Sequence, residues 1–235
     1  MTNNFSIVIP CYNESGNLLK LIDICKKELC TNGVEVILID NGSNDDSSKI
    51  LRSFHQDDPL LKTFRLGTNQ GYGGGILYGL SKAKGKYIGW THADLQTDPK
   101  DVLSAFKLME SEDTFVKGFR VGRPLVDNIF SIGMAIFETI ILKTFLWEIN
   151  AQPTIFSKKF FQSWKNPPSD FSLDLYAYVM AKNNNLCLKR LKVYFPERLS
   201  GVSSWNTGLK SKLLLIKRTT KFSLELRKRI SNPIQ

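Results

Sequence analysis

Two acidic segments, each placed directly after a strand-like apolar run, carry the first chemical suggestion in these 235 residues. Asp40 opens Asp40-Asn41-Gly42-Ser43 behind Val34 to Asp40 (VEVILID), where a carboxylate can accept hydrogen bonds from a ribose or a base. The same four residues are equally good turn chemistry, with the aspartate bonded to its own backbone. Thr91-His92-Ala93-Asp94-Leu95-Gln96 follows a second run at Tyr87 to Trp90 and alternates polar side chains. Asp94 and Gln96 there offer oxygen ligands to a hard cation, Mn2+ or Mg2+, bridging two phosphates. Asp98-Pro99 reads instead as a helix cap followed by proline at the first helical position.

These loops need a scaffold that brings them to one place. Phe5 to Pro10 (FSIVIP) and Val34 to Asp40 are short β-branched runs of the kind covered on both faces, and Leu18, Leu19, Ile22 and Leu29 recur between them at helical intervals. The alternation continues with a helix near Asp46 to His55, a strand near Leu61 to Leu66, a helix near Gly74 to Lys84 and the strand at Tyr87 to Trp90. The fold class expected is α/β, an open sheet with helices on both faces. Ligands of such sheets bind beyond the carboxyl ends of the strands, where Pro10 to Asn13, Asp40 to Ser43 and Thr91 to Asp94 converge.

Gly71, Gly73, Gly74, Gly75 and Gly79 lie between a strand and a helix without the Gly-Lys-Ser/Thr ending of a nucleotide-triphosphatase loop, so close helix packing is the favoured reading. Ile129 to Trp147 is apolar but broken by Glu138 and Lys143, which suits a surface-lying or core helix. The last third predicts a helix from about Leu173 to Lys182, a strand from about Leu186 to Tyr194 and a basic helical tail. The sequence divides into a unit over 1–205 and a basic amphipathic helix over 206–235.

The balance of 32 Lys and Arg against 22 Asp and Glu, a formal charge of +10, calls for an anionic partner: nucleic acid, lipid headgroup or phosphorylated substrate. No zinc motif or aromatic-basic ribonucleoprotein motif supports nucleic acid. Cys11, Cys25, Cys30 and Cys187 lack metal-ligand pairing and disulfide density, so reduced thiols in a cytosolic compartment are expected. The start, Met-Thr-Asn-Asn-Phe, has no secretory pattern, and no run reaches the roughly 18 to 20 apolar residues of a membrane span.

In combination, Val8-Ile9-Pro10-Cys11-Tyr12-Asn13-Glu14, Ile39-Asp40-Asn41-Gly42-Ser43, Asn69-Gln70-Gly71-Tyr72-Gly73 and His92-Ala93-Asp94-Leu95-Gln96 resemble the family 2 glycosyltransferases of GT-A fold, especially the dolichol-phosphate mannose synthase branch. The likeness covers nearly the whole chain and implies an open, Rossmann-like mixed sheet. It implies that Pro10, Tyr12, Glu14, Asp40 and Ala93 hold the nucleotide, and that Asp94 and Gln96 hold the metal, with His92 a third candidate where the family has an aspartate. Arg198-Leu199-Ser200-Gly201-Val202-Ser203 resembles the Arg-x-x-Gly-x-Ser loop placed over donor and acceptor phosphates, so Arg198 and Ser203 are phosphate ligands by this match. Arg120 and Arg123 match a region facing acceptor phosphate, Gln152 falls near the sugar pocket, and Asp174 falls where relatives carry an acidic group near the acceptor.

The activity implied is an inverting, metal-dependent transfer from a UDP- or GDP-sugar to a polyprenyl phosphate, with Asp94, Arg198 and Asp174 as catalytic candidates. An anionic phosphate oxygen needs no strong base; a sugar hydroxyl would, and Asp174 is then the first choice. Two rivals are transfer to a glycan hydroxyl in cell-surface polysaccharide synthesis and a silent scaffold subunit. The basic tail and the Ile129 to Trp147 stretch suggest peripheral association with the cytoplasmic face of a membrane, with room for a membrane-protein partner.

Overall fold

The computed structural model describes residues 4–54, 58–122, 125–195 and 209–231. Seven strands form one sheet: β1 (Phe5–Cys11), β2 (Glu35–Asp40), β3 (Leu61–Arg65), β4 (Tyr87–Trp90), β5 (Thr114–Val121), β6 (Thr154–Ser157) and β7 (Cys187–Tyr194), in the order β3-β2-β1-β4-β6-β5-β7. β6 runs antiparallel to both β4 and β5, and the other pairs are parallel, so the sheet is mixed. The helices are α1 (Ser15–Ile24), α2 (Ser47–Ser53), α3 (Gly71–Lys82), α4 (Asp101–Phe106), α5 (Leu125–Leu142), α6 (Lys158–Gln162), α7 (Leu173–Asn183) and α8 (Leu209–Ser231).

Burial on both faces follows from the two-residue period of a strand. Val8, Ile37, Ile39, Ile88, Trp90, Phe115 and Phe156 point into one core layer with α3 and α7. Ile7, Ile9, Val36, Leu38, Val116 and Ile155 point into the other, with α1 and α4. Register then sets the site, because Cys11 stands beside Asp40 and Asp40 beside Arg65 at the same sheet edge.

All five glycines of the cluster lie within α3, which begins three residues before the expected Gly74. Each interior glycine costs a helix about 1 kcal/mol against alanine, and contact with the sheet offsets this. A Cβ on Gly79 would sit 2.3 Å from a Val8 methyl, so only glycine lets α3 lie on β1. Gly71 enters the helix at φ +79 against the Ser169 carbonyl. Asp98 does not cap α4; its Oδ1 accepts from Lys100 N at 2.9 Å in a turn three residues ahead of the helix.

α5 ends where Lys143 takes φ +53. It packs against α8, with Leu226 and Ser223 buried and Arg227 Nη1 donating to the Ile141 carbonyl at 2.8 Å. Its other face leaves Ile132, Ile136 and Ile140, four residues apart, in solvent together with Phe145. None of the helices among the described residues is long and apolar enough to cross a membrane. All four cysteines are free thiols, three of them buried.

Candidate functional site

The first two polar loops are stitched together. Glu14 precedes α1 without a side-chain cap of its own, and the loop after β2 supplies the missing acceptors. Asn13 N donates to Ser43 Oγ at 3.1 Å, Glu14 N to Ser47 Oγ at 2.9 Å and Ser15 N to Asp45 Oδ2 at 3.1 Å. Asn44 N returns a bond to Asn13 Oδ1 at 2.9 Å. Burial alone raises the Asp45 carboxyl, but hydrogen bonds involving Ser47 and Ser15 outweigh it and bring the group down to about 2. Pro10, Tyr12, Glu14 and Asp40 therefore lie on one platform, Tyr12 exposed and Asp40 buried.

Asp40 takes part in the turn considered from the sequence. Its Oδ1 accepts from Ser43 N at 2.9 Å, and Oδ2 faces the Ser48 hydroxyl and, at 3.4 Å, Arg65 Nε. A carboxylate has about four acceptor positions, so a further donor can still be received. Asn41 ties in the third loop, donating Nδ2 to the Gly71 carbonyl at 2.8 Å and accepting from Gln70 N at 3.0 Å.

Beyond β4, Ala93 is buried and Asp94 nearly so, 8% exposed. Asp94 Oδ1 accepts from Gln96 N at 3.1 Å while Leu95 takes φ +56, a local turn that presents the carboxylate. The His92 ring lies 5.9 Å from the Tyr72 ring, which stacks on Phe171 at 4.8 Å. Among the described residues no three His, Cys, Asp or Glu side chains gather as a metal cage. One carboxylate, one amide and one imidazole within five residues fit a cation completed by phosphate oxygens and water.

Behind this loop runs a buried polar chain. Lys117, fully buried in β5, directs Nζ to the Ala151 carbonyl and Thr154 Oγ1, each at 3.1 Å, and to Asp174 Oδ1 at 3.3 Å. Gln152 Nε2 donates to the same Asp174 oxygen at 2.6 Å and to Tyr72 Oη at 3.1 Å. Burial pulls the Lys117 ammonium down to about 8, Asp174 opposing and Arg190 adding to the effect. Gly118 permits this approach, since a Cβ there would meet the Gln152 carbonyl at 2.2 Å.

The structure thus gathers Pro10, Tyr12, Glu14, Asp40, Ala93, Asp94 and Gln96 at the sheet edge and joins Gln152 and Asp174 to His92 through Tyr72. Arg120, three residues along β5 from Lys117, is ion-paired, its Nε 2.6 Å from Glu148 and its guanidinium over the Phe195 ring. Arg123, Arg198 and Ser203 lie outside the described residues. Lys117, Asn41, Asp45 and Tyr72 were not singled out as site residues from the sequence. The signal for Lys117 is a lysine inside an otherwise apolar strand; for Asn41 and Asp45 it is polar density after β2.

The sequence model described as Glycosyl transferase family 2 matches residues 6–172. An undecaprenyl-phosphate 4-deoxy-4-formamido-L-arabinose transferase of Yersinia pestis is 35% identical over 130 residues, 53% of this chain. The match covers 38% of that relative, so the chain corresponds to well under half of its length. Among solved structures, glucosyl-3-phosphoglycerate synthase of Mycobacterium tuberculosis with Mn2+ and uridine-diphosphate-glucose superposes with a TM-score of 0.69 at 14% identity, covering 95% of this chain and 79% of that one. A mannosyltransferase of Pyrobaculum calidifontis in complex with GDP-Man and Mn2+ gives 0.62 at 15% identity, covering 97% and 73%.

Proposed function

Because the chain belongs to glycosyl transferase family 2, we propose that it moves a sugar from a nucleoside diphosphate-sugar, UDP- or GDP-linked, to a polyprenyl phosphate at a membrane surface. That it is a glycosyltransferase of GT-A fold follows from the family match and the shared architecture. The observation that carries the acceptor class is the engagement of Asp174. This carboxylate is buried, and Lys117 and Gln152 both donate to its Oδ1. With two donors already on Oδ1 and the residue only 2% exposed, Asp174 offers little access to an approaching hydroxyl that would need a base. An acceptor that arrives as an anion needs none, and the phosphate-acceptor chemistry named for the Yersinia relative agrees with that.

In this reading the Tyr12 to Glu14 loop and Asp40 hold the nucleoside, while Asp94 and Gln96, with His92 beside them, hold a divalent cation. When bound, that cation supplies charge neutralisation for the departing diphosphate. Asp94 contributes the anionic ligand, and the turn at Leu95 holds it toward the open sheet edge. A phosphate oxygen forms its bond to the anomeric carbon as the bond to the nucleoside diphosphate breaks, and a single displacement inverts configuration. Arg198 and Ser203 remain the proposed phosphate ligands, with Arg120 and Arg123 on the acceptor side.

The test offers one donor at a time, from a panel of UDP- and GDP-sugars, with undecaprenyl phosphate and with soluble oligosaccharides as competing acceptors. A monophosphate-linked glycolipid is expected, with turnover lost on chelation. Transfer to sugar hydroxyls alone would overturn the acceptor assignment.

The exposed face of α5 supports the membrane part of the proposal. Ile132, Ile136, Ile140 and Phe145 form an apolar stripe, and Lys217, Arg218, Lys221, Lys228 and Arg229 of the neighbouring α8 are exposed cations. Ile136→Asp/Ile140→Asp is expected to weaken binding to phosphatidylglycerol vesicles by roughly tenfold or more. Co-sedimentation measures it, and unchanged binding would remove α5 from the interface.

A further inference from the structure

Lys117 has no part in the reaction outlined above, although it is a fully buried lysine in an interior strand. We infer that Lys117 is a positioning residue of the transferase site, holding Asp174 so that Gln152 fixes Tyr72 beside His92. The inference rests on the reading that the His92 to Gln96 loop handles the sugar diphosphate.

A lysine is almost never fully buried unless its charge is paired and hydrogen-bonded. Here its three N–H donors meet three oxygens, from Ala151, Thr154 and Asp174, brought from 34, 37 and 57 residues away. Asp174 Oδ1 accepts from Lys117 Nζ and from Gln152 Nε2 together, and that shared oxygen decides which way the Gln152 amide points. Its NH2 group faces the Asp174 carboxylate and the Tyr72 hydroxyl, while Oε1 accepts from Thr154 Oγ1 at 3.0 Å. Reversing the amide would set its oxygen against a carboxylate oxygen at 2.6 Å. Tyr72, its hydroxyl engaged by Gln152 and by Asp174 itself, has its ring against both Phe171 and His92. The chain of contacts runs β5, α7, the segment before β6, α3 and then the loop after β4, so a charge beneath the sheet edge orients a ring within it.

Neutralising both ends keeps the core free of an orphaned charge, so Lys117→Met/Asp174→Asn is the main probe, with Lys117→Met alone beside it. The double variant is expected to fold, judged by its circular dichroism and melting. It should bind the free nucleoside diphosphate as wild type does, since Asp40 and the first loop are untouched. Its kcat should fall roughly 10- to 100-fold, the scale expected when reacting groups are slightly misplaced. His92 is one of only two histidines, so its imidazole proton resonance can be followed without turnover, and it should shift as the Tyr72 ring moves. Full kcat in the folded double variant, or an unmoved His92 resonance, would overturn the inference. Kinetics use whichever acceptor wild type accepts and the resonance needs none, so failure of the acceptor assignment is seen separately.

Discussion

Asp94→Asn is expected to lower kcat/KM for the nucleoside diphosphate-sugar roughly a thousandfold, because losing an anionic metal ligand removes several kcal/mol of charge stabilisation and each 1.36 kcal/mol is tenfold. The melting temperature should stay within about 2 °C of wild type. The separation follows from the geometry. Asparagine retains Oδ1, so the bond from Gln96 N and the turn at Leu95 persist. The negative charge disappears. Asp94→Ala would remove the turn acceptor as well and should also melt lower, by about 1 kcal/mol of stability. Steady-state kinetics with excess Mn2+, read beside calorimetry, makes the comparison; full turnover in the asparagine variant would sink the metal assignment.

Glu138→Leu is expected to stabilise the protein above pH 7 by as much as about 3 kcal/mol, the value of the displaced titration at 1.36 kcal/mol per pH unit. Glu138 lies on the α5 face turned away from solvent, beside a Ser223 hydroxyl that donates to the Thr219 carbonyl and only partly offsets the cost of burying the carboxyl. Burial raises its carboxyl from 4.5 to about 7. The folded state therefore holds a proton that the unfolded state releases between those values. Stability from this group is fully present below pH 4.5 and is lost as pH rises through about 7. Wild type should lose stability across that window relative to the leucine variant, and the two should converge near pH 4.5. Denaturant melts at several pH values measure the difference, and parallel curves would show that Glu138 does not titrate there.

Much of the site could be read along the chain. The β-branched runs ending at Pro10 and Asp40 and the run at Tyr87 to Trp90 are strands, and their loops reach one edge. Repetition of strand and helix leaves few other arrangements, and Asp40 and Asp94 needed only their positions at strand ends to be noticed. β6 was harder to see. Thr154 to Ser157 is four residues buried on both faces, too short to carry a period. The start of α3 at Gly71 rather than Gly74 was also hidden, because glycine lowers helix propensity and the contacts that hold Gly71 and Gly73 against Ser169 are tertiary.

By itself the sequence determined the alternating α/β order, the chemistry of the loops after β1, β2 and β4, and the family to which they belong. Those are local properties, written in side-chain period and in residues a few positions apart. Only the tertiary structure decided that β6 runs antiparallel between β4 and β5, and that Lys117 and Gln152 meet at one oxygen of Asp174. A charge in a strand reads as an exposed position until a partner is known. That partner lay 57 residues away, set by sheet order rather than by any neighbour in sequence.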